Sequence, residues 1–188
     1  MIIGSSVRHY EKVSSTNTVA SALLREGKPS EGTVITASYQ ESGRGQQGNS
    51  WESEPGTNLL MSVILYPVMV KPWEQFIISR MISLAVHDLV SLHTTDTTIK
   101  WPNDIYVRDD KIAGILIENS IMGKTLGSTV AGIGLNVNQT VFRSDAPNPV
   151  SLAMITGADN DLSAITEKLT KLIDSRYGMI IRGETAAL

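Results

Sequence analysis

The stretch Thr97–Asn138, TTIKWPNDIYVRDDKIAGILIENSIMGKTLGSTVAGIGLNVN, decides the fold. Four runs suited to strands follow one another here: Thr97 to Trp101, Asp104 to Val107, Ile112 to Asn119 and Thr125 to Asn138. Only turn-prone segments such as RDD and MGK separate them, which predicts an antiparallel meander. Upstream, Asn58 to Tyr66 (NLLMSVILY) is almost continuously apolar and is stopped by Pro67. Such a run suits a central strand covered on both faces. Gly32 to Gln40 (GTVITASYQ) reads as a further strand from its β-branched content.

Helices fill the gaps between these runs. Ser14 or Ser15 can cap a helix with Val19, Ala22 and Leu23 on one face, ended by Gly27 and Pro29. Pro72 stands where a first helical residue would, and Ile78, Met81, Ile82, Ala85, Leu89 and Leu92 follow at helical spacing. A closing helix is marked by Ile165, Leu169, Leu172, Ile173 and Ile180. Too few strand–helix–strand units alternate for a doubly wound fold, so the expectation is α/β of the α+β type: a mixed, largely antiparallel sheet backed by helices. No repeat, charge block or linker divides residues 1–188, which read as a single domain.

Composition removes several classes of function. The chain has no cysteine, so disulfides, thiolate metal sites and thiol nucleophiles are excluded. A net charge of −3 with interspersed signs offers no basic stripe for a nucleic acid. No apolar stretch reaches the roughly 18 residues of a membrane span, and the start lacks a secretory pattern, so a cytoplasmic protein is expected. His9, His87 and His93 lack metal-ligand spacing, and Met61, Met69, Met81 and Met154 read as core filler.

Four segments carry candidate chemistry. In Gly43–Trp51, GRGQQGNSW, three glycines can bring backbone N–H groups to an anion, and Arg44 adds a permanent, fork-shaped charge. A flexible surface loop is the plain alternative. No GK[ST] follows, so this is not a P-loop, and no acidic ribose partner follows for a dinucleotide fingerprint. Trp51 can lie against a purine or serve as a packing anchor. In Lys100–Asp104, KWPND, the proline ends a strand and presents Asn103 and Asp104 at its edge, although an ordinary turn selects the same residues. Asp104 can hold Mg²⁺ beside a triphosphate. In Lys111–Glu118, KIAGILIE, Lys111 is either the exposed end of a hairpin or an ammonium placed against a reacting centre, and Gly114 lets a ligand approach the strand. In Gly132–Asn138, GIGLNVN, two glycines thin the strand, as at a bulge, and Asn136 can donate its amide to a phosphate.

Taken in order, Ser15-Thr16-Asn17, Tyr39-Gln40, Gly43–Trp51, Lys100–Asp104, Lys111–Glu118 and Gly132–Val137 resemble the motifs of the biotin–protein ligase catalytic domain, over about residues 10–140. That family's fold is similar to the catalytic domains of class II aminoacyl-tRNA synthetases and lipoate ligases. The resemblance implies two steps: biotin and MgATP give biotinyl-5′-AMP and pyrophosphate, then a lysine of a biotin carboxyl carrier protein attacks the anhydride. It implies Lys111 and Arg44 as catalytic cations. Ser15, Thr16, Asn17, Gln40, Gly43, Arg44, Lys111 and Gly114 would bind biotin. Arg44, Gly45, Gln46, Gly48, Trp51, Asn103 and Asn136 would bind ATP and the adenylate, with Mg²⁺ near Asp104.

Many relatives carry arginines where this chain has Gln46 and Asn49, so less charge would hold the loop over an adenylate. The short lead before Ser15 gives the expectation of no helix-turn-helix domain and no DNA binding. The end at Leu188 gives the expectation of no C-terminal SH3-like barrel. A monomer and a homodimer are both compatible with the sequence. Two alternatives stand: a lipoate or octanoate ligase of the related fold, and a non-catalytic biotin- or adenylate-binding module.

Overall fold

The computed structural model describes residues 1–188, the side chains of Gln47 and Ala187 excepted. Seven strands form one sheet: β1 (Val7–Val13), β2 (Val34–Gln40), β3 (Leu59–Leu65), β4 (Thr97–Lys100), β5 (Asp104–Val107), β6 (Asp110–Met122) and β7 (Thr125–Leu135). Four helices accompany it: α1 (Thr16–Glu26), α2 (Phe76–Val90), α3 (Leu152–Thr156) and α4 (Leu162–Ile181). The strand order is β1-β2-β3-β7-β6-β5-β4. Only β1 and β2 pair in parallel, with α1 as their crossover, so the sheet is mixed and largely antiparallel, as expected.

Every residue of β3 is buried, and the alternation of its side chains separates two layers. Leu59, Met61, Val63 and Leu65 join the main core with α2 and α4, including Met81, Ile82, Leu89, Leu169 and Ile173. On the opposite face Ile64 packs with Ala20 of α1, Ile35 and Val130. The same alternation runs through β7, where Ala131, Ile133 and Leu135 enter the main core while Val130 faces α1. One strand is thus shared by a large core and a smaller second layer beneath α1.

Several expectations need correction. Val7–Val13 is a strand that the sequence pattern did not mark, because it lies exposed at the sheet edge and carries little apolar periodicity. Ser15 occupies the N-cap position of α1, but its side chain makes no capping hydrogen bond. Pro72 begins a short 3₁₀ turn, Pro72–Glu74, and α2 starts only at Phe76. Leu92 lies past the end of α2 and is exposed. Met61 and Met81 fill the core, whereas Met69 and Met154 are exposed. The meander strand expected from Ile112 begins at Asp110 and so includes Lys111. The short helix α3, capped by Ser151, was not anticipated.

Two polar ties fasten the periphery. Tyr177 of α4 is fully buried and donates its hydroxyl to Glu31, which also accepts from the Tyr66 backbone N–H. Burial, reinforced by Glu31, pushes the Tyr177 phenol far above its usual range, so it remains a donor at any working pH. Glu52 accepts from the backbone N–H groups of Arg143 and Ser144, each at 2.8 Å, and anchors the segment after β7. Burial works against the charged form of Glu52, but hydrogen bonds from Ser144 and Arg143 and the Arg143 charge outweigh it. Its carboxyl therefore sits below the ordinary value.

Tyr177→Phe should cost roughly 1–3 kcal/mol, because it removes a hydrogen bond to a charged group without leaving a cavity. Urea unfolding should show a lower midpoint with an unchanged slope. For Glu52 the folded pKa lies below the unfolded one, so its contribution is present above about pH 4.3 and is lost as pH falls through the lowered value. Amide protection factors at Arg143 and Ser144 should fall on acidification in the native chain. In Glu52→Gln they should be low at every pH.

Candidate active site

A cavity of about 540 Å³ opens on the α1 face of the sheet, within the usual range for small-molecule sites. Its floor is β6 and β7, and its walls are the start of α1, the Gly43–Trp51 loop and the β4–β5 turn. Period-two geometry places the floor residues. Gly114, Leu116 and Glu118 of β6 and Gly132 and Gly134 of β7 point away from the core that holds Ala113, Ile115, Ala131 and Ile133.

Lys111 reaches this face through a bulge. Asp104 pairs with Gly114 and Ile105 with Ala113, but Tyr106 then pairs with Lys111, so Ile112 is an extra residue on β6. Paired residues in an antiparallel ladder share a face. In unbroken register Lys111 would therefore oppose Val107 and point into the core. With the bulge, both Ile112 and Ala113 are buried in the core and Lys111 turns to the cavity. Its Nζ lies 2.8 Å from Asp104 Oδ2 and 6.0 Å from the centre of the Trp51 ring.

The floor beside α1 is a connected polar network. Gln40 Oε1 accepts from the Thr16 backbone N–H at 2.7 Å and from the Thr16 hydroxyl at 3.1 Å. Ser62 Oγ lies 2.7 Å from Thr16 Oγ1 and 2.6 Å from Asn17 Oδ1, and Asn17 Nδ2 donates to Glu118 Oε2 at 2.8 Å. Thr16, Asn17, Gln40 and Ser62 are all buried. A hydroxyl has one proton, so with Thr16 donating to Gln40, Ser62 can serve Thr16 or Asn17 but not both. Gln40 Nε2 donates to no partner among the described residues, so the floor presents an amide donor as well as hydroxyl and amide oxygens to a ligand.

The Gly43–Trp51 loop is closed at its base, where the Trp51 N–H donates to Gly43 O at 2.9 Å, and Arg44 bridges to Ser50. A β-carbon on Gly43 would meet Trp51 O at 2.4 Å, so only glycine fits there. Arg44 donates to Glu118 Oε1. The Trp51 indole lies on the strand glycines: a β-carbon at Gly134 would come within 2.4 Å of it, and one at Gly114 within 2.9 Å. Both readings of Trp51 meet here, since the ring is packed on the sheet and still forms cavity wall.

Ser15, Thr16, Asn17, Gln40, Arg44, Gly45, Gln46, Trp51, Asn103, Asp104, Lys111 and Gly114 all line the cavity. Gly43 and Gly48 instead line a groove on the outer side of the loop. The space above Gly114 is taken by Trp51 rather than left open for a ligand. Asn103 spends an amide hydrogen on Ile115 O at 2.6 Å. Asn136 is a clear departure. It is buried outside the cavity and donates its amide to Val150 O at 3.0 Å, because the chain turns beneath α3 directly after β7. That bond uses one of its two amide hydrogens.

Ser62, Glu118, Gly132 and Gly134 were not among the expected site residues. Ser62 had a signal, as the lone polar residue within LLMSVIL (Leu59–Leu65), and Glu118 stands an even number of residues from Gly114. The glycines were read as thinning a strand, and the bulky ring they accommodate comes from a distant loop.

Comparison with known proteins agrees with this geometry. The model of the biotin/lipoate A/B protein ligase family matches residues 10–136. The bifunctional ligase/repressor BirA of Bacillus subtilis is 30% identical over 182 residues, covering 94% of this chain and 55% of that protein. The biotin–[acetyl-CoA-carboxylase] ligase of Mycobacterium tuberculosis is 29% identical, covering 92% of this chain and 65% of that one. The chain thus spans somewhat over half the length of such relatives. Among solved structures, the biotin protein ligase from Aquifex aeolicus in complex with biotin and ATP superposes with a TM-score of 0.80 at 28% identity, covering 93% of this chain and 71% of that one. By its matched motifs, its fold and the residues gathered in this cavity, the chain belongs to the biotin/lipoate A/B protein ligase family.

Proposed function

We propose that this chain is the catalytic unit of a biotin–protein ligase, which forms biotinyl-5′-AMP from biotin and MgATP and transfers the biotinyl group to a lysine of a biotin carboxyl carrier protein. The observation that carries the reading is one cavity that holds a buried polar floor, Thr16, Asn17 and Gln40, together with two cations, Lys111 beside Asp104 and Arg44 beside Glu118. A ureido ring supplies two N–H donors and a carbonyl acceptor to such a floor, while a tail carboxylate reaches the cations.

In the first step a carboxylate oxygen attacks the α-phosphorus of ATP, and the bond to the β-phosphate breaks, releasing pyrophosphate. Two anions must approach each other, so positive charge at the reacting atoms lowers the barrier. Lys111 and Arg44 supply it, and each is already held in place by a carboxylate, Asp104 and Glu118 respectively. In the second step a lysine amine attacks the carbonyl carbon, AMP leaves and the amine loses a proton.

The Mg²⁺ that accompanies ATP fits Asp104 as its one protein carboxylate: Oδ1 is buried without a hydrogen-bond partner while Oδ2 is held by Lys111. Among the described residues no group of three or more acidic, histidine or cysteine side chains converges, so phosphate oxygens and water would complete the shell. The metal would neutralise phosphate charge. An octanoyl transfer through a cysteine is incompatible with a chain that has none.

Biotin-dependent exchange of pyrophosphate into ATP tests this reading. Exchange should require biotin and ignore lipoate, and Lys111→Ala should lower its rate by about 100-fold or more. Exchange with lipoate in place of biotin would overturn the assignment of substrate. Gly134→Ala should drive the Trp51 ring from its seat and raise the KM for biotin by about tenfold, read in the same assay. Leu116→Val, which alters the same floor without touching the ring, should leave that KM within about threefold.

A further inference from the structure

Arg44 and Lys111 are each paired with a carboxylate, but the two pairs differ in what they hold. Lys111 and Asp104 both belong to the meander, whereas Arg44 belongs to a loop and Glu118 to the sheet. Between that loop and β6 lies an open groove lined by Ser42 to Gln46, Gly48 to Ser50, Leu116 and Ile117. Among the described residues, the Arg44–Glu118 bond is the only side-chain hydrogen bond from Gly43–Trp51 to the sheet. The backbone bonds that shape the loop, Gly45 N–H to Asn49 O and Trp51 N–H to Gly43 O, are internal to it. They set the loop's shape, and the Trp51 ring seats its C-terminal end on Gly114 and Gly134; Arg44, at the other end of the loop, is held to the sheet through Glu118.

Glu118 also faces the other way. Its second oxygen accepts from buried Asn17, which shares Ser62 with Thr16 in the polar floor. One carboxylate therefore joins the loop wall of the cavity to the part of the floor that a ligand would occupy.

We propose that Glu118 is a positioning residue: it holds Arg44, and with it the glycine loop, over the cavity, and through Asn17 it makes the loop's placement depend on occupancy of the floor. The inference rests on the ligase reading for the identity of the ligand. Its physical content is a coupling between two walls of one cavity. Arg44 gives one N–H to Glu118, and a guanidinium has four more, so the pair orients the side chain without exhausting its donors. Both partners are partly exposed, so the tie is modest and reversible, as a loop that must admit substrate requires. A ligand that orders Asn17 fixes Glu118 in turn and steadies Arg44 at the moment the anions arrive.

Hydrogen exchange of the loop amides, measured with and without biotin alongside pyrophosphate exchange, tests the proposal in Glu118→Gln and Glu118→Ala. The glutamine keeps the size of the side chain but cannot give charged oxygens to both Arg44 and Asn17. Loop amides over residues 43–50 should exchange about three- to tenfold faster in both variants. Biotin should slow loop exchange in the native chain and fail to do so in the variants. The KM for ATP should rise by a similar factor with a smaller change in kcat, while Tm stays within about 2 °C of the native value. A purely structural Glu118 would lower Tm and speed exchange through the sheet instead. Native loop exchange and native KM in both variants would overturn the proposal. If the native chain itself shows no biotin-dependent pyrophosphate exchange, the ligase reading fails. Loop exchange in the ligand-free variants then still decides whether Glu118 holds the loop.

Discussion

Burial of Leu59, Met61, Val63 and Leu65 beneath α2 and α4 leaves Leu60, Ser62 and Ile64 one direction in which to point, because successive side chains of a strand face opposite ways. The same holds next door, where Ala131, Ile133 and Leu135 commit Gly132 and Gly134 to the opposite face. The apolar core on one side of the sheet therefore specifies the register of the site on the other. A one-residue slip in β7 would exchange the glycines for isoleucine and leucine side chains and close the cavity.

Within that constraint the bulge at Ile112 is a local exception with a chemical result. It allows one strand to bury Ile112 and Ala113 side by side and still deliver Lys111 to the cavity. A lysine forced into the core would have to give up its charge or find a buried partner. Turned outward it meets Asp104 across the ladder and lies near the Trp51 ring. The glycines extend the same logic, since an indole can lie flat on a sheet only where neighbouring strands lack side chains.

The site is electrostatically restrained rather than strongly charged. Each cation has its own carboxylate, and the uncharged floor is tied to one of them through Asn17. Such pairing preorganises the arginine and the lysine, and the exposure of both pairs keeps them exchangeable when anions enter.

Taken alone, the sequence determined the strand runs, the two long helices at the core, the mixed and largely antiparallel class and the segments from which the cavity is built. Those features are written locally, in apolar period, turn residues and ordered motifs. Tertiary structure alone decided that β1 is a strand, since an exposed edge carries no apolar period. It decided that Asn136 is a buried tie to Val150, since an asparagine after a strand reads alike whether it faces a ligand or a backbone carbonyl. It also decided that Glu118 meets both Arg44 and Asn17, and that Gly114 and Gly134 seat Trp51. Each of these contacts joins residues far apart in the chain. Their meeting depends on sheet order, which leaves no periodic trace in the sequence.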